Sequence, residues 1–367
     1  MKRNGIHHKR SGERPGELES EPSGAQVLSG TGASRERAGA LHDESRSHQD
    51  HSRDTAAQRT AHSRARLVKM VCAGGALLGF SADLAASPGE SPPEGKSEAK
   101  AGRARLVHQQ RGMFGLVVVT EEDNGLRTLR FGIGGPRQSV VRPGYPRELV
   151  LRYTRATMLG LALVPAPQRV LVVGLGGGSL PMFLRSVFPL VQIDAVDIDP
   201  VVIEVARRFL GFREDPFLRS HAVDGRRFVE TAPAAAYDLI FLDAYSAEAV
   251  PVHLATREFL LAVLRATHPE GLVVSNLWGP SMNPLFGPML RTYQAVFADL
   301  YLVELAGVEN RIVLASARVL GLHSASFTQV AAETSRRLGL AFDLGAIVAE
   351  GFRRPDWTSA QEAVLRD

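Results

Sequence analysis

The sequence predicts an α/β fold: a doubly wound, mostly parallel, seven-stranded sheet, preceded by a small antiparallel β unit and a disordered N-terminal tail. Three observations lead to this prediction. A strand, glycine turn, helix and strand follow one another over residues 169–199. Further strand and helix patterns alternate from there to residue 316. The first 63 residues, by contrast, contain few aliphatic or aromatic side chains.

The composition of the 367-residue chain is that of a globular protein, with 44% hydrophobic and 22% charged residues. The formal net charge is only +4, and basic and acidic residues are interspersed. Because no basic block with interleaved aromatic residues occurs, a nucleic-acid partner is not supported. The single cysteine, Cys72, excludes an internal disulfide and a cysteine-rich metal site.

The first 102 residues differ from the rest of the chain. Residues 1–63 are rich in Ser, Gly, Glu, Arg and His, and bury too little apolar surface to offset the entropy of ordering. Residues 64–87 have the order of a secretory signal peptide: basic residues, a short apolar run, then small residues. The alternative is a chance Ala-rich stretch. We expect residues 1–102 to form a disordered tail that ends in a Pro/Gly/Ser linker.

A small antiparallel β unit is expected over residues 103–145. A β-branched run at 115–120 and an alternating run at 126–133 flank an Asp-Asn-Gly turn. Residues 147–163 then have the apolar spacing of a helix, which two prolines end.

The pattern at 169–199 predicts a cofactor site. A short β-branched strand at 169–173 leads into a turn with four glycines, and the next strand ends at Asp197. Glycines let a ligand approach the backbone of the turn and the N-terminus of the following helix. An acidic side chain at this offset accepts hydrogen bonds from ribose hydroxyls. The pattern predicts a nucleoside cofactor without distinguishing a dinucleotide from S-adenosylmethionine.

Alternating elements continue to the end of the predicted sheet. Strands are expected at 219–223, 237–242 and 271–276, with an antiparallel pair at 300–305 and 311–316. Helices are expected at 200–210, 253–268 and 282–298. This order is typical of the Rossmann-like methyltransferase fold. We expect one catalytic domain over residues 146–345 and a C-terminal tail over 346–367.

Three aspartates follow the carboxyl ends of predicted parallel strands: Asp197, Asp224 and Asp243. Ligands of open α/β sheets bind just beyond these ends. The three carboxylates are therefore expected to converge on one crevice, although each residue alone is also suited to capping a helix.

Residues 138–276 resemble the spermidine synthase (polyamine aminopropyltransferase) family. The matching motifs are GLGGGS at 174–179, VDIDPVVIEVA at 196–206, DGRRF at 224–228, YDLIFLDAYS at 237–246 and VPVHLATREF at 250–259. Upstream, RTLRFG at 127–132 and Gln138-Ser139 resemble the small N-terminal β domain of that family.

The resemblance implies a role for each matching residue. Asp243 would be the catalytic carboxylate, which attracts the ammonium of an amine substrate and takes its proton. The cofactor-binding residues would be Gly174, Gly176, Gly178, Asp197, Asp224, Gly225 and Gln138. The substrate-binding residues would be Tyr153, Tyr245 and Ser246. The cofactor would be decarboxylated or intact S-adenosylmethionine, with no metal.

Two positions depart from the family pattern. The family usually has an aspartate at Gly177, which binds the aminopropyl ammonium of the donor, and another at Ser246, which binds the diamine. Each such charge-assisted hydrogen bond contributes about 1.5–3 kcal/mol. Glu248 lies close enough in sequence to replace one of them.

Three functions remain open from the sequence. The first is aminopropyl transfer to an amine, the second is methyl transfer from intact S-adenosylmethionine, and the third is cofactor binding without turnover. The retained Asp243 argues against the third. We expect a small-molecule acceptor, no stable membrane insertion, a homo-oligomer formed through the β unit, and a cytoplasmic location. Export is the alternative location if residues 64–87 act as a signal.

Overall fold

The structure is a computed structural model, and it describes residues 104–245, 250–355 and 362–367. Several predictions fall outside these ranges: the tail at 1–102 with its signal-like segment, Cys72, Ser246 and Glu248.

The predicted β unit forms a four-stranded antiparallel sheet in the order β1-β2-β3-β4. Its strands are β1 (Arg105–Gly112), β2 (Gly115–Glu121), β3 (Arg127–Phe131) and β4 (Arg137–Val141). Gly125 lies between β2 and β3 and has a positive φ of 81°. A glycine adopts this conformation without strain, which explains why the Asp-Asn-Gly sequence forms the turn.

The second sheet has the strand order β12-β10-β11-β9-β8-β5-β6-β7. Its strands are β5 (Arg169–Val173), β6 (Gln192–Asp197), β7 (Leu218–Ala222), β8 (Tyr237–Leu242), β9 (Thr267–Trp278), β10 (Asp299–Glu304), β11 (Asn310–Ser316) and β12 (Phe352–Arg353). Strands β5 to β9 pair in parallel, whereas β11 is antiparallel to both β9 and β10. The predicted fold class, including the closing antiparallel pair, is confirmed.

The eighth strand was not predicted. Strand β12 pairs with β10 through Leu302–Arg353 and Val303–Phe352, and it forms one edge of the sheet. Gly351 permits this pairing, because a Cβ atom there would overlap the carbonyl group of Glu304. The helix before β12 spans Leu344–Gly351. The expected boundary between residues 345 and 346 therefore lies inside a helix.

The helices are α1 (Arg152–Thr157), α2 (Gly160–Leu163), α3 (Ser179–Val187), α4 (Pro200–Phe209), α5 (Gly225–Thr231), α6 (Arg257–Ala266), α7 (Phe286–Gln294), α8 (Ser324–Leu338) and α9 (Leu344–Gly351). The single helix expected over 147–163 is divided into α1 and α2. Thr154 and Thr157 donate their hydroxyls to backbone carbonyls of the same segment, which competes with a regular helix. None of the helices in the described ranges is long and apolar enough to cross a membrane.

The helix expected at 253–268 starts later than predicted. Residues Val252–Leu254 form a 3-10 turn, and α6 begins only after Thr256. The Thr256 hydroxyl accepts a hydrogen bond of 3.3 Å from the Phe259 amide, so it caps the helix.

Side chains alternate between the two faces of the large sheet. On β8, Leu239 and Phe241 pack in one apolar core, and Ile240 and Leu242 pack in the other. Asp243 continues this alternation on the face of Phe241, where α1 lies. On that face the Tyr153 hydroxyl of α1 contacts the Asp243 carboxyl group.

Candidate active site

The glycine turn after β5 has a backbone conformation that side chains would prevent. Gly174, Gly176 and Gly178 have positive φ values of 101°, 52° and 77°. A Cβ atom at Gly174 would overlap the backbone carbonyl of Asp243, and one at Gly178 would lie 2.7 Å from a ring carbon of Phe212. The turn is therefore a narrow backbone cradle at the ends of β5 and β8, of the kind that a nucleoside ligand can approach closely.

Gly177 differs from the other three glycines, because its φ is not in the positive range. A Cβ atom at Gly177 would lie 2.6 Å from Ser139 Oγ and 2.9 Å from Ser139 Cβ. Ser139 belongs to β4 and is only 4% exposed. Ser139 thus occupies the space that a side chain at position 177 needs.

Asp197 holds the glycine turn. Its Oδ2 accepts hydrogen bonds of 3.2 Å from the amides of Leu175 and Gly176, and its Oδ1 accepts one of 3.1 Å from the Asp199 amide. Burial raises the pKa of Asp197 to about 6. A carboxylate has about four lone-pair positions, of which these three bonds use three. The expected contact of Asp197 with ribose hydroxyls stays a prediction.

Asp224 caps α5. Its Oδ1 accepts from the amides of Arg226 and Arg227 at 2.9 and 3.1 Å, and its Oδ2 lies 2.9 Å from His253 Nε2. The next residue, Gly225, packs so closely on β5 that a Cβ atom would lie 2.5 Å from Val173 Cγ1. The capping function that the sequence left open is present at Asp224. Its expected contact with an adenine stays a prediction.

Asp243 receives a hydrogen bond on each carboxyl oxygen. Asn276 Nδ2 donates to Oδ1 at 2.8 Å, and the Tyr153 hydroxyl donates to Oδ2 at 3.2 Å. Burial raises the pKa of Asp243 to about 7, although both hydrogen bonds lower it in part. A carboxyl group with this pKa can take up and release a proton near neutral pH.

The structure adds two residues to which the sequence analysis gave no role. Asn276 lies near the carboxyl end of β9, beside β8, and its Oδ1 accepts a hydrogen bond of 2.9 Å from Asn310 Nδ2. The position of Asn276 at a parallel strand end was a usable signal. Asn310 begins the antiparallel strand β11, and the rule for parallel strand ends does not apply there.

Tyr245 lies beside the same group. Its hydroxyl donates to the Asn276 carbonyl oxygen at 2.7 Å, and its ring centroid is 5.1 Å from that of Trp278. Burial raises the pKa of Tyr245 well above its ordinary value, as it does for Tyr153. Both tyrosines are therefore neutral near pH 7, and they add polar but uncharged surface next to Asp243.

The remaining predicted site residues lie apart from Asp243. Gln138 is half-buried on β4, next to the Ser139 that contacts the glycine turn. Asp224 and Asp243 follow β7 and β8, which are three strands apart, so a spacing of roughly 14 Å is expected. The three aspartates thus follow strands along one edge of the sheet, each with its own partners, and their expected convergence on one crevice stays a prediction. In the described ranges, no three His, Cys, Asp or Glu residues are grouped as metal ligands.

Comparison with solved structures defines the class of the fold. The crystal structure of a probable spermidine synthase from Corynebacterium glutamicum superposes with a TM-score of 0.58 at 20% sequence identity. The match covers 71% of this chain and 96% of that one. The described part of the chain therefore has the fold of the spermidine synthases.

Sequence comparison shows the family. The spermine/spermidine synthase domain matches residues 153–296. The polyamine aminopropyltransferase of Vibrio vulnificus is 33% identical over 219 residues, which cover 58% of this chain and 72% of that enzyme. The chain belongs to the spermine/spermidine synthase family.

A second kind of relative shares the same region. The human eEF1A lysine and N-terminal methyltransferase is 33% identical over 183 residues, which cover 45% of this chain but only 26% of that protein. Relatives of this chain thus include both aminopropyltransferases and methyltransferases.

Proposed function

We propose that this protein transfers an aminopropyl group from decarboxylated S-adenosylmethionine to an amine, with Asp243 as the proton acceptor. One observation carries the proposal: the half-buried Asp243 carboxyl group, whose pKa desolvation raises to about 7, follows β8, and the Asp243 backbone packs against Gly174 of the glycine turn. An amine in water is mostly protonated and must lose a proton before it can act as a nucleophile. A carboxylate in this position both attracts the ammonium and accepts the proton.

The glycine turn, Asp197 and Asp224 are the residues that would hold the sulfonium donor. The turn suits such a group because its glycines leave the backbone free of side chains, and a Cβ atom at Gly176 would have only Ser139 Cβ within 4 Å among the described residues. When bound, the sulfonium supplies a carbon that accepts the amine electron pair while the carbon–sulfur pair returns to sulfur. Tyr153 and Asn276 keep the Asp243 carboxylate in place by donating to its two oxygens.

Methyl transfer from intact S-adenosylmethionine is the second candidate, and the contact between Ser139 and Gly177 favours it. Position 177 has no carboxylate to bind the ammonium of an aminopropyl group, and Ser139 fills the space. The donor carboxylate, which is absent from decarboxylated S-adenosylmethionine, would meet no negative charge from that position. The methyltransferase relatives are consistent with this second candidate.

The thioether by-product distinguishes the two reactions. Loss of the aminopropyl group leaves 5′-methylthioadenosine, whereas loss of the methyl group leaves S-adenosylhomocysteine. The purified protein would be incubated with putrescine and each donor separately, and both thioethers would be measured by mass spectrometry. The Asp243→Asn variant is the control for background hydrolysis. Aminopropyl transfer predicts 5′-methylthioadenosine that depends on putrescine, and S-adenosylhomocysteine alone would contradict it.

We further infer that the small β unit (103–145) and the catalytic domain (146–345) both contribute to the donor site. The Asp199 carboxylate accepts from the Met113 amide at 2.7 Å and from the Val201 amide at 2.9 Å. It thereby links the β1–β2 turn to the start of α4, two residues after Asp197. A cytoplasmic location and a homo-oligomer through β1 to β4 belong to the same proposal. The location is inferred from the sulfonium donor, and the oligomer is inferred from the resemblance to the family.

A further inference from the structure

A row of side-chain hydrogen bonds extends from Asp243 across the neighbouring strands. Asn310 on β11 donates to Asn276 on β9 at 2.9 Å, and Asn276 donates to Asp243 at 2.8 Å. The three residues come from three elements that are adjacent in the sheet. Asn276 is only 4% exposed, so water does not compete for its amide.

The orientation of the Asn276 amide determines which form of Asp243 it stabilises. With Nδ2 facing Asp243, the amide donates to the carboxylate and favours the ionised form. With Oδ1 facing Asp243, the amide needs a donor and favours the protonated carboxyl group. An asparagine side chain can adopt both orientations by rotating about its terminal bond. A second contact is therefore needed to select one of them.

We propose that Asn310 is a positioning residue: by donating to Asn276 Oδ1, it holds the amide with Nδ2 towards Asp243 and keeps that carboxylate ready to accept a proton. Asn310 contacts neither of the Asp243 oxygens and acts only through Asn276. The catalytic consequence rests on the proposed role of Asp243. The orientation of the Asn276 amide does not depend on that role.

The other groups that face Asp243 do not replace this control. Tyr153 from α1 donates to Oδ2, and Tyr245 follows Asp243 on the same loop. The pKa of each tyrosine is well above its ordinary value, so neither changes charge near pH 7. The glycine turn presents only backbone to Asp243. In the described residues, the charge state of Asp243 therefore depends on burial and on its two donors.

Asn310→Asp tests the inference with an isosteric change. An aspartate at 310 only accepts, so it attracts Asn276 Nδ2, reverses the amide and turns Asn276 Oδ1 towards Asp243. The probe is the pH titration of the Asp243 carboxyl carbon, by NMR of protein labelled at aspartate. The Asp243→Asn variant assigns the signal. We expect the midpoint of Asp243 to rise by about one pH unit or more in Asn310→Asp.

Two further variants separate orientation from added charge. Asn310→Ala removes the selecting contact without adding charge, and we expect a smaller rise of the midpoint. In an Asn276→Ala background, Asn310→Asp should cause little further change, because its effect passes through Asn276. Asn124→Asp, in the exposed β2–β3 turn, is the matched control and should change nothing. An equal rise of the Asp243 midpoint with and without the Asn276 side chain would overturn the inference. The absence of a rise in both Asn310→Asp and Asn310→Ala would also overturn it.

The titration also distinguishes this inference from the proposed function. If the protein turns over neither donor but the midpoint rises as expected, the role of Asn310 stands and the proposed function fails. If turnover is present and the midpoint does not move, the proposed function stands and the role of Asn310 fails. Where turnover exists, the acid limb of kcat/KM should move with the NMR midpoint, a change that a purely structural role would not produce.

Discussion

Ser139 lies against Gly177 in such a way that a Cβ atom at Gly177 would come within 2.6 Å of the serine hydroxyl oxygen. The contact joins β4 of the small sheet to the glycine turn of the large one. It also gives a physical reason why position 177 has no aspartate: Ser139 occupies the space that the side chain would need. The glycine is required by packing, since its own φ is not in the range that excludes side chains.

Gly177→Asp alone should destabilise the protein. Insertion of a side chain against the buried Ser139 is an overpacking change, which typically costs about 1–3 kcal/mol. Adding Ser139→Gly removes the obstructing atoms. In that background, Gly177→Asp should therefore lower the free energy of unfolding much less than it does in the wild type. Urea unfolding of the four proteins measures this. Equal midpoints for Gly177→Asp and the wild type would mean that Ser139 moves aside without cost.

Ser246→Asp tests the acceptor side. Position 246 lies outside the described residues, so the expectation comes from the sequence. A carboxylate there should bind the second ammonium of a diamine and contribute about 1.5–3 kcal/mol. We expect kcat/KM for putrescine to rise roughly 10- to 100-fold, while kcat/KM for 1-aminobutane, which lacks the second ammonium, stays unchanged. A similar rise for both amines would argue against a diamine site.

Asp197→Ala should weaken binding of any adenosyl donor at least about tenfold, because a hydroxyl acceptor is lost. The variant also leaves the Leu175 and Gly176 amides without their acceptor, so the turn should lose order. Asp197→Asn is the matched variant, since it keeps one acceptor oxygen, and it should lose less affinity. Calorimetry with both sulfonium donors measures the effect. Unchanged affinity in Asp197→Ala would remove Asp197 from the donor site.

The sequence was sufficient for the succession of strands along the chain from β5 to β11 and for the residues at the parallel strand ends. Strand β8 has the predicted bounds 237–242, because a continuous apolar run that ends in an aspartate clearly indicates a buried parallel strand. Local sequence patterns do not predict contacts between residues that are far apart in the chain. Ser139 meets Gly177, and Asn310 meets Asn276, only after separate strands have packed. For the same reason the pairing of β12 with β10 was not predicted.

The wild-type reaction should depend on pH through Asp243. With a pKa of about 7, this residue is an effective proton acceptor only above that pH, so kcat/KM should fall as the pH drops through about 7. Asp243→Asn has no basic oxygen and should lower turnover by roughly 10²–10⁴ with little change in donor affinity. The acid limb should disappear in the variant. Persistence of the same limb in Asp243→Asn would assign it to another group.

Asp243 should also lower stability as the pH rises. Its folded pKa of about 7 is above the ordinary value of 3.8, so folding favours the protonated form. The contribution of Asp243 to the free energy of unfolding is therefore greatest below about pH 4 and declines as the pH rises to about 7. Asp243→Asn removes this decline, and the variant should gain stability relative to the wild type between these two pH values. Urea unfolding of both proteins at several pH values measures the difference. A difference that does not depend on pH would mean that folding does not raise the pKa of Asp243, and an acid limb near pH 7 would then have to come from another residue.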